Sequence, residues 1–205
     1  MLVKPSNYDE IQVNQEFERL ELGGHKGIIK SVEEYTSTIS GNTSLKVEVD
    51  TASDDKQPNY FQKQYDENTN SDKKWSTGAT KYVSLKQDDN CIKMLKAFIT
   101  SVENSNQGFT FDWNKEVDQL NGKKIGLVFG LEEYKNDKGE LKTVTKLNQF
   151  RSVDKVDNVK IPSVKLSNGN YIDYEDYIVT KEAKNPANPF LGLEDTVEIT
   201  DDILD

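Results

Sequence analysis

Between Asp88 and Arg151 the sequence switches from a helical repeat to two strand-like runs joined by a turn, and few folds accommodate that succession. In the stretch from Cys91 to Val102, the apolar residues Ile92, Leu95, Phe98, Ile99 and Val102 recur at intervals of three and four, which places them on one helical face. Asp88 and Asp89 suit the N-terminal end, where a carboxylate accepts from unpaired backbone N–H groups and complements the helix dipole. The runs from Lys124 to Leu131 and from Val144 to Arg151 have strand character, and the segment from Lys135 to Glu140 supplies turn chemistry, with Gly139 free to take positive φ. The stretch predicts an amphipathic helix followed by a β-hairpin.

Upstream, the segments from Gly27 to Thr38 and from Leu45 to Thr51 flank the turn Ser40-Gly41-Asn42 and predict another hairpin, with Thr80 to Lys86 as a third strand. The resulting order β-β-β-α-β-β gives a mainly β class. It is the order of an OB-fold, a five-stranded Greek-key barrel with one helix between strands 3 and 4, whose strand 2–3 face binds oligonucleotides or oligosaccharides. The glycine-rich entry from Leu22 to Gly27 lacks the Lys-Ser/Thr ending and the following helix of a phosphate-binding loop, so its glycines read as a bend. The expected organisation is an arm over residues 1–21, an OB-fold domain over 22–155, an extension over 156–182 and a flexible acidic tail over 183–205. The segment from Asp154 to Thr180, with its dense run from Tyr171 to Val179, reads as an extended segment that packs on the barrel or on another subunit.

Apolar runs are too short for a membrane span, and the N-terminus lacks a basic region followed by an apolar block, so a soluble cytosolic chain is expected. Cys91 is the single cysteine, which leaves no disulfide framework within one chain and reads as a small buried thiol. His25 is the single histidine and has no Cys or His partner for a zinc site. The net charge of −10 counts against a polyanionic partner, yet its distribution does not. Residues 24–155 carry 20 basic and 20 acidic side chains, so the acidic surplus lies at the ends. A neutral domain can still present a basic groove, because local potential guides a polyanion. Only Arg19 and Arg151 are arginines, which favours point-charge contact with phosphates over bidentate reading of bases.

The segment from Asp54 to Gly78 is polar and without core periodicity, but it interleaves Tyr60, Phe61, Tyr65 and Trp75 with Lys56, Lys63, Lys73 and Lys74. A long irregular loop of that kind in a compact domain is functional or disordered. Aromatic rings that stack bases, set among cations that follow the backbone, are what a sequence-tolerant single-strand binder uses. The same rings packed as a cover on the barrel are the competing reading. Phe109, Phe111 and Trp113 alternate just after the helix and read as packing on it. Hairpin residues Tyr134, Lys135 and Lys138, together with Lys46, Lys81 and Arg151, complete the expected binding set.

From Asn188 to Asp205 the chain carries six acidic residues and no basic one, with apolar residues between them. Asn188-Pro189-Phe190 followed by Ile199-Thr200-Asp201-Asp202-Ile203-Leu204 resembles the C-terminal tail of bacterial single-stranded DNA-binding proteins, which docks on replication and repair enzymes. The family tip ends in Pro-Phe, whereas this chain ends in Leu204-Asp205. The body, through Leu22-Gly23-Gly24-His25-Lys26-Gly27-Ile28-Ile29, Ser40-Gly41-Asn42 and Lys138-Gly139-Glu140, is similar to single-stranded DNA-binding proteins of phages and prophages of Gram-positive bacteria. That resemblance implies a protein without enzymatic activity, cofactor or metal. It would bind single-stranded DNA with little sequence preference in replication or recombination in the cytoplasm of a bacterial host, recruiting enzymes through Ile199, Asp201, Asp202, Ile203 and Leu204. A homo-oligomer is compatible with it. An acidic protein that mimics DNA, and an oligosaccharide-binding or structural phage component, are the alternatives.

Overall fold

In the computed structural model, which describes Lys4 and residues 18–184, the strand β1 (Gly23–Thr36) serves two ladders. Its N-terminal half pairs antiparallel with β4 (Lys124–Lys135) from Gly23 to Ile28, and from Gly27 onward it pairs antiparallel with β2 (Thr43–Thr51). The register shifts between Ile29 and Ser31, so Lys30 is an extra residue and the strand bends there. β3 (Thr80–Ser84) adds to β2, and β5 (Leu141–Arg151) returns along β4. Past the start of β1, β6 (Val164–Lys165) joins β4 in parallel at Glu132, and β7 (Tyr171–Ile172) pairs with β6. The described residues thus form a mainly β structure, one mixed seven-stranded sheet with three helices.

The five expected strands and the helix between the third and fourth are all present, but a closed barrel is not. β3 and β5 approach near Gly78, where an added Cβ would stand 2.7 Å from the Thr145 carbonyl oxygen, yet the two strands share no ladder. The expected tail beyond residue 184, and all of the expected arm except Lys4 and residues 18–21, lie outside the described residues.

The central helix, α2 (Asp89–Ser105), follows its sequence pattern. The Asp88 carboxylate accepts from the Cys91 N–H at 2.9 Å, and Phe98, Ile99 and Val102 are buried in one core with Val83, Ile125, Leu127 and Leu147, Phe98 meeting Phe150 at 4.8 Å. Ile92 and Met94 are exposed and Cys91 is half-buried rather than buried, because the first turns project beyond the residues the helix packs on.

The segment expected to be irregular contains a second helix, α1 (Tyr60–Glu67), held by a carboxylate from a neighbouring strand. Its N-cap, Asn59, has φ 52 and no side-chain cap bond. Buried Asp50 of β2 takes over, accepting from the N–H groups of Phe61 at 2.9 Å and Gln62 at 3.2 Å. Burial pushes the Asp50 carboxyl above its ordinary pKa, against the backbone donors that pull it down.

A second polar clip fixes the entry to β1. The buried His25 ring faces two acceptors, the Asp55 carboxylate at 2.9 Å from Nδ1 and the Glu21 carbonyl at 3.0 Å from Nε2, and meets Phe129 edge-on. Burial opposes the charge on Asp55, but the bond to His25 and the N–H groups of Gln57 and Lys26 together hold its carboxyl below the usual value. Gln57 ties the incoming chain down, accepting from the Glu21 N–H and donating to the Arg19 carbonyl.

The C-terminal extension lies on the sheet along a trough of glycines. A Cβ on Gly24 would fall 1.9 Å from the Val156 carbonyl oxygen, one on Gly126 would fall 2.5 Å from Val156 Cγ1, and one on Gly130 would meet Pro162 at 3.2 Å. Gly23, at φ 98 after a bend at Leu22, supplies the bend expected from sequence, and Gly24 adds close approach to Val156. The expectation of an extended run from Tyr171 to Val179 is corrected: only Tyr171 and Ile172 are strand, and α3 (Tyr174–Lys184) begins two residues later. Buried Tyr177 anchors that helix, donating to Glu133 at 3.0 Å. Gly24→Ala is expected to lower stability by about 1–3 kcal/mol, because the methyl group displaces backbone at Val156. A urea midpoint equal to that of the parent chain would show that the extension does not depend on this trough.

Candidate nucleic-acid interface

The pleat of β2 sends Leu45, Val47 and Val49 into the core and Ser44, Lys46 and Glu48 to the other face. Register then assembles rows on that outer face: Tyr35, Ser44 and Ser84 in one, Glu33, Lys46 and Tyr82 in the next, Ser31, Glu48 and Thr80 in the third. Tyr35 and Tyr82, 39% and 49% exposed, stand side by side with ring centroids 5.3 Å apart at 56°. They line a shallow groove of about 430 Å³ with Ser37, Ser40, Asn42, Ser44, Ser84 and Lys86. Two tilted, solvent-facing rings above a floor of hydroxyls can stack a flat ligand and hydrogen-bond its edges.

Lys46 lies beside these rings, but Glu48 and Glu33 each hold its ammonium at 2.9 Å and raise its pKa, Glu48 foremost. Its charge is spent within the protein. Lys86 is exposed at the groove.

The expected loop residues divide. Phe61 is 5% exposed, in the core against Phe129, and cannot stack a base. Tyr60 is half-buried and meets Phe61 edge-on. Trp75 is half-buried, with its indole N–H donating to the Val49 carbonyl at 3.1 Å, and Tyr65 leans on it at 5.7 Å. Two cations join them: Lys73 Nζ sits 4.5 Å from the Tyr65 ring centre and donates to the Tyr65 carbonyl, and Lys30, freed by the β1 bulge, lies 5.8 Å from that of Trp75. Lys63 and Lys74 are exposed. The cluster is therefore an anchored rim rather than a mobile stacking loop.

Other expected members lie apart from one another. Lys81 pairs with Val47 on the inward side of β3, where burial first and Lys146 second lower its pKa. Lys135 and Lys138 are exposed at the tip of the β4–β5 hairpin and Tyr134 is half-buried beside it. Arg151 is exposed at the far end of the same ladder, about 30 Å away at the rise of a strand, so the structure does not bring it together with Lys138. Sequence reasoning missed Tyr35 and Tyr82. Tyr82 had a signal in its alternation with apolar Val83, whereas Tyr35 beside charged Glu34 reads as inward, and only the register of β1, β2 and β3 makes the two rings neighbours.

Trp113, expected to pack on the helix, is 70% exposed and touches Phe111 edge-on at 4.8 Å. The two tryptophans should therefore report oppositely. Acrylamide is expected to quench the emission of W75F, which retains Trp113, strongly and that of W113F weakly. Equal quenching would place Trp75 in solvent and restore the loop as a stacking element.

Among the described residues no group of His, Cys, Asp or Glu is placed to hold a metal ion, and no helix is long and apolar enough to cross a membrane. No protein-family model matches the sequence, and no curated protein matches it significantly.

Proposed function

We propose that this chain binds single-stranded DNA, largely without sequence preference, across the outer face of β1, β2 and β3. The observation that carries this reading is the exposed pair Tyr35 and Tyr82 above its serine-lined groove. Stacking is sequence-tolerant because every base has a π-face. The strand order β3-β2-β1-β4-β5, with α2 between β3 and β4, supports an OB-fold-like architecture in which the β3–β5 seam stays open. In such a fold the paired tyrosines occupy the strand 2–3 face that takes oligonucleotides. The setting proposed is phage or mobile-element replication or recombination in a bacterial host, with the acidic tail recruiting enzymes through Ile199, Asp201, Asp202, Ile203 and Leu204.

Titration with labelled oligo-dT, duplex DNA and RNA at two salt concentrations tests the reading. Single strands are expected to bind, with affinity falling as salt rises because counterions leave the phosphates. Tyr35→Ala and Tyr82→Ala are each expected to cost about 1–3 kcal/mol of oligo-dT binding. Unchanged affinity in both variants would remove the site from this face. The net charge of −10 favours a second reading, an acidic interaction protein that mimics DNA, and capture of a basic protein with no binding to any oligonucleotide would establish it.

Cutting the chain after Lys184 is expected to leave the urea midpoint and oligo-dT affinity intact while abolishing capture of replication or repair enzymes. Loss of oligo-dT binding on truncation would make the tail part of the binding domain.

A further inference from the structure

A second cationic and aromatic surface lies on the strands that extend the sheet beyond its first five. Register aligns Val144 of β5, Glu132 of β4, Lys165 of β6 and Tyr171 of β7 in one row, with Lys142 beside Tyr134 and Lys146 beside Gly130 in the flanking rows. Successive residues of β4 point to opposite faces. Glu133 is taken by α3, through Tyr177 and through Lys181 at 3.2 Å, so α3 lies on the face opposite Glu132; the Glu132 face is covered by the extension at Gly126 and Gly130 but open at Lys146 and Lys165, each side chain 44% exposed. Tyr171 stands there 66% exposed.

The charge on this face is positive although the chain is acidic. Glu132 is shared by Lys165 at 2.6 Å and Lys146 at 3.5 Å. One anion between two cations leaves an excess of positive charge. The face approaches the tyrosine-bearing strand: Lys146 belongs to β5, and β5 meets the chain entering β3 where Thr145 faces Gly78. From β5 across β4 and β6 to β7 is three strand spacings, about 14 Å.

We propose that a single strand seated on Tyr35 and Tyr82 continues across the open β3–β5 seam, its phosphates meeting Lys146 and Lys165 and a base stacking on Tyr171. This inference rests on the single-strand reading above. The occupant is a phosphodiester strand rather than an acidic peptide, because an exposed ring beyond the lysines offers stacking, which an acidic peptide does not need.

The test uses the full chain, with K146Q/K165Q and Tyr171→Ala checked for unchanged urea midpoints, and oligo-dT of about 6 and about 16 nucleotides. For K146Q/K165Q the salt slope with the long oligonucleotide should fall by about 1.4, and its low-salt affinity should drop about tenfold. The short oligonucleotide should bind as before. K146R/K165R should restore the long-oligonucleotide affinity, and Tyr171→Ala should weaken the long one alone. Unchanged binding of the long oligonucleotide, equal weakening of both lengths, or loss of binding to poly-glutamate alone would overturn the proposal. If the parent chain binds neither length, the single-strand reading itself falls. If the short oligonucleotide binds and depends on Tyr35 and Tyr82 while the long one ignores Lys146, Lys165 and Tyr171, only the extended track falls.

Discussion

One strand in two ladders is the constraint on which the rest of the sheet depends. β1 must pair with β4 through Ile28 and with β2 from Gly27 onward, so at Gly27 and Ile28 both neighbours are engaged at once. Gly27 makes room for this: a Cβ there would stand 2.4 Å from the Leu127 side chain, which instead fills the space as core. Two residues on, the extra residue at Lys30 turns the strand away from β4. Only after that turn do Glu33 and Tyr35 face outward beside Lys46 and Tyr82, so the bulge determines where the aromatic pair stands.

Polar clips hold what the ladders do not. Asp50 holds α1, His25 with Asp55 and Gln57 holds the chain entering β1, and Glu133 holds α3 through Tyr177 and Lys181. Each places a buried or nearly buried polar group against partners far away in sequence. Among the described residues no buried side-chain nitrogen or oxygen lacks a partner, so these clips avoid the desolvation penalty of an orphaned group. Removing one member leaves the other buried and unsatisfied, which costs more than the bond itself contributes.

That division explains what could be read from sequence. α2 and the two hairpins announce themselves because their causes are local: the three-and-four spacing of Phe98, Ile99 and Val102, the carboxylate of Asp88, and Gly139 at φ 76 in its turn. α1 does not, since its cap is Asp50, in another strand and before the loop that leads to it. The glycines at 24 and 126 gave no hint of Val156, whose contact with them depends on the extension folding back. Tyr35 and Tyr82 are 47 positions apart in sequence and meet only through β2, whereas Tyr60, Phe61 and Trp75, close in sequence and conspicuous there, are drawn wholly or partly into the structure. Local density of aromatic residues does not by itself fix exposure, because a chain that can bury a ring gains more than one that leaves it in water.

The same contrast separates the two halves of the proposed surface by physical type. On β1, β2 and β3 the central lysine is neutralised by Glu33 and Glu48, so rings and hydroxyls must supply the attraction. On β4 to β7 a single carboxylate is divided between Lys146 and Lys165, so charge dominates. Stacking is insensitive to ionic strength compared with phosphate neutralisation, whose contribution falls with every increase in salt. A strand lying across both halves would hold to the tyrosines throughout and release the lysine side first as salt rises, and a chain of net charge −10 needs that local cationic excess to draw a polyanion toward it at all.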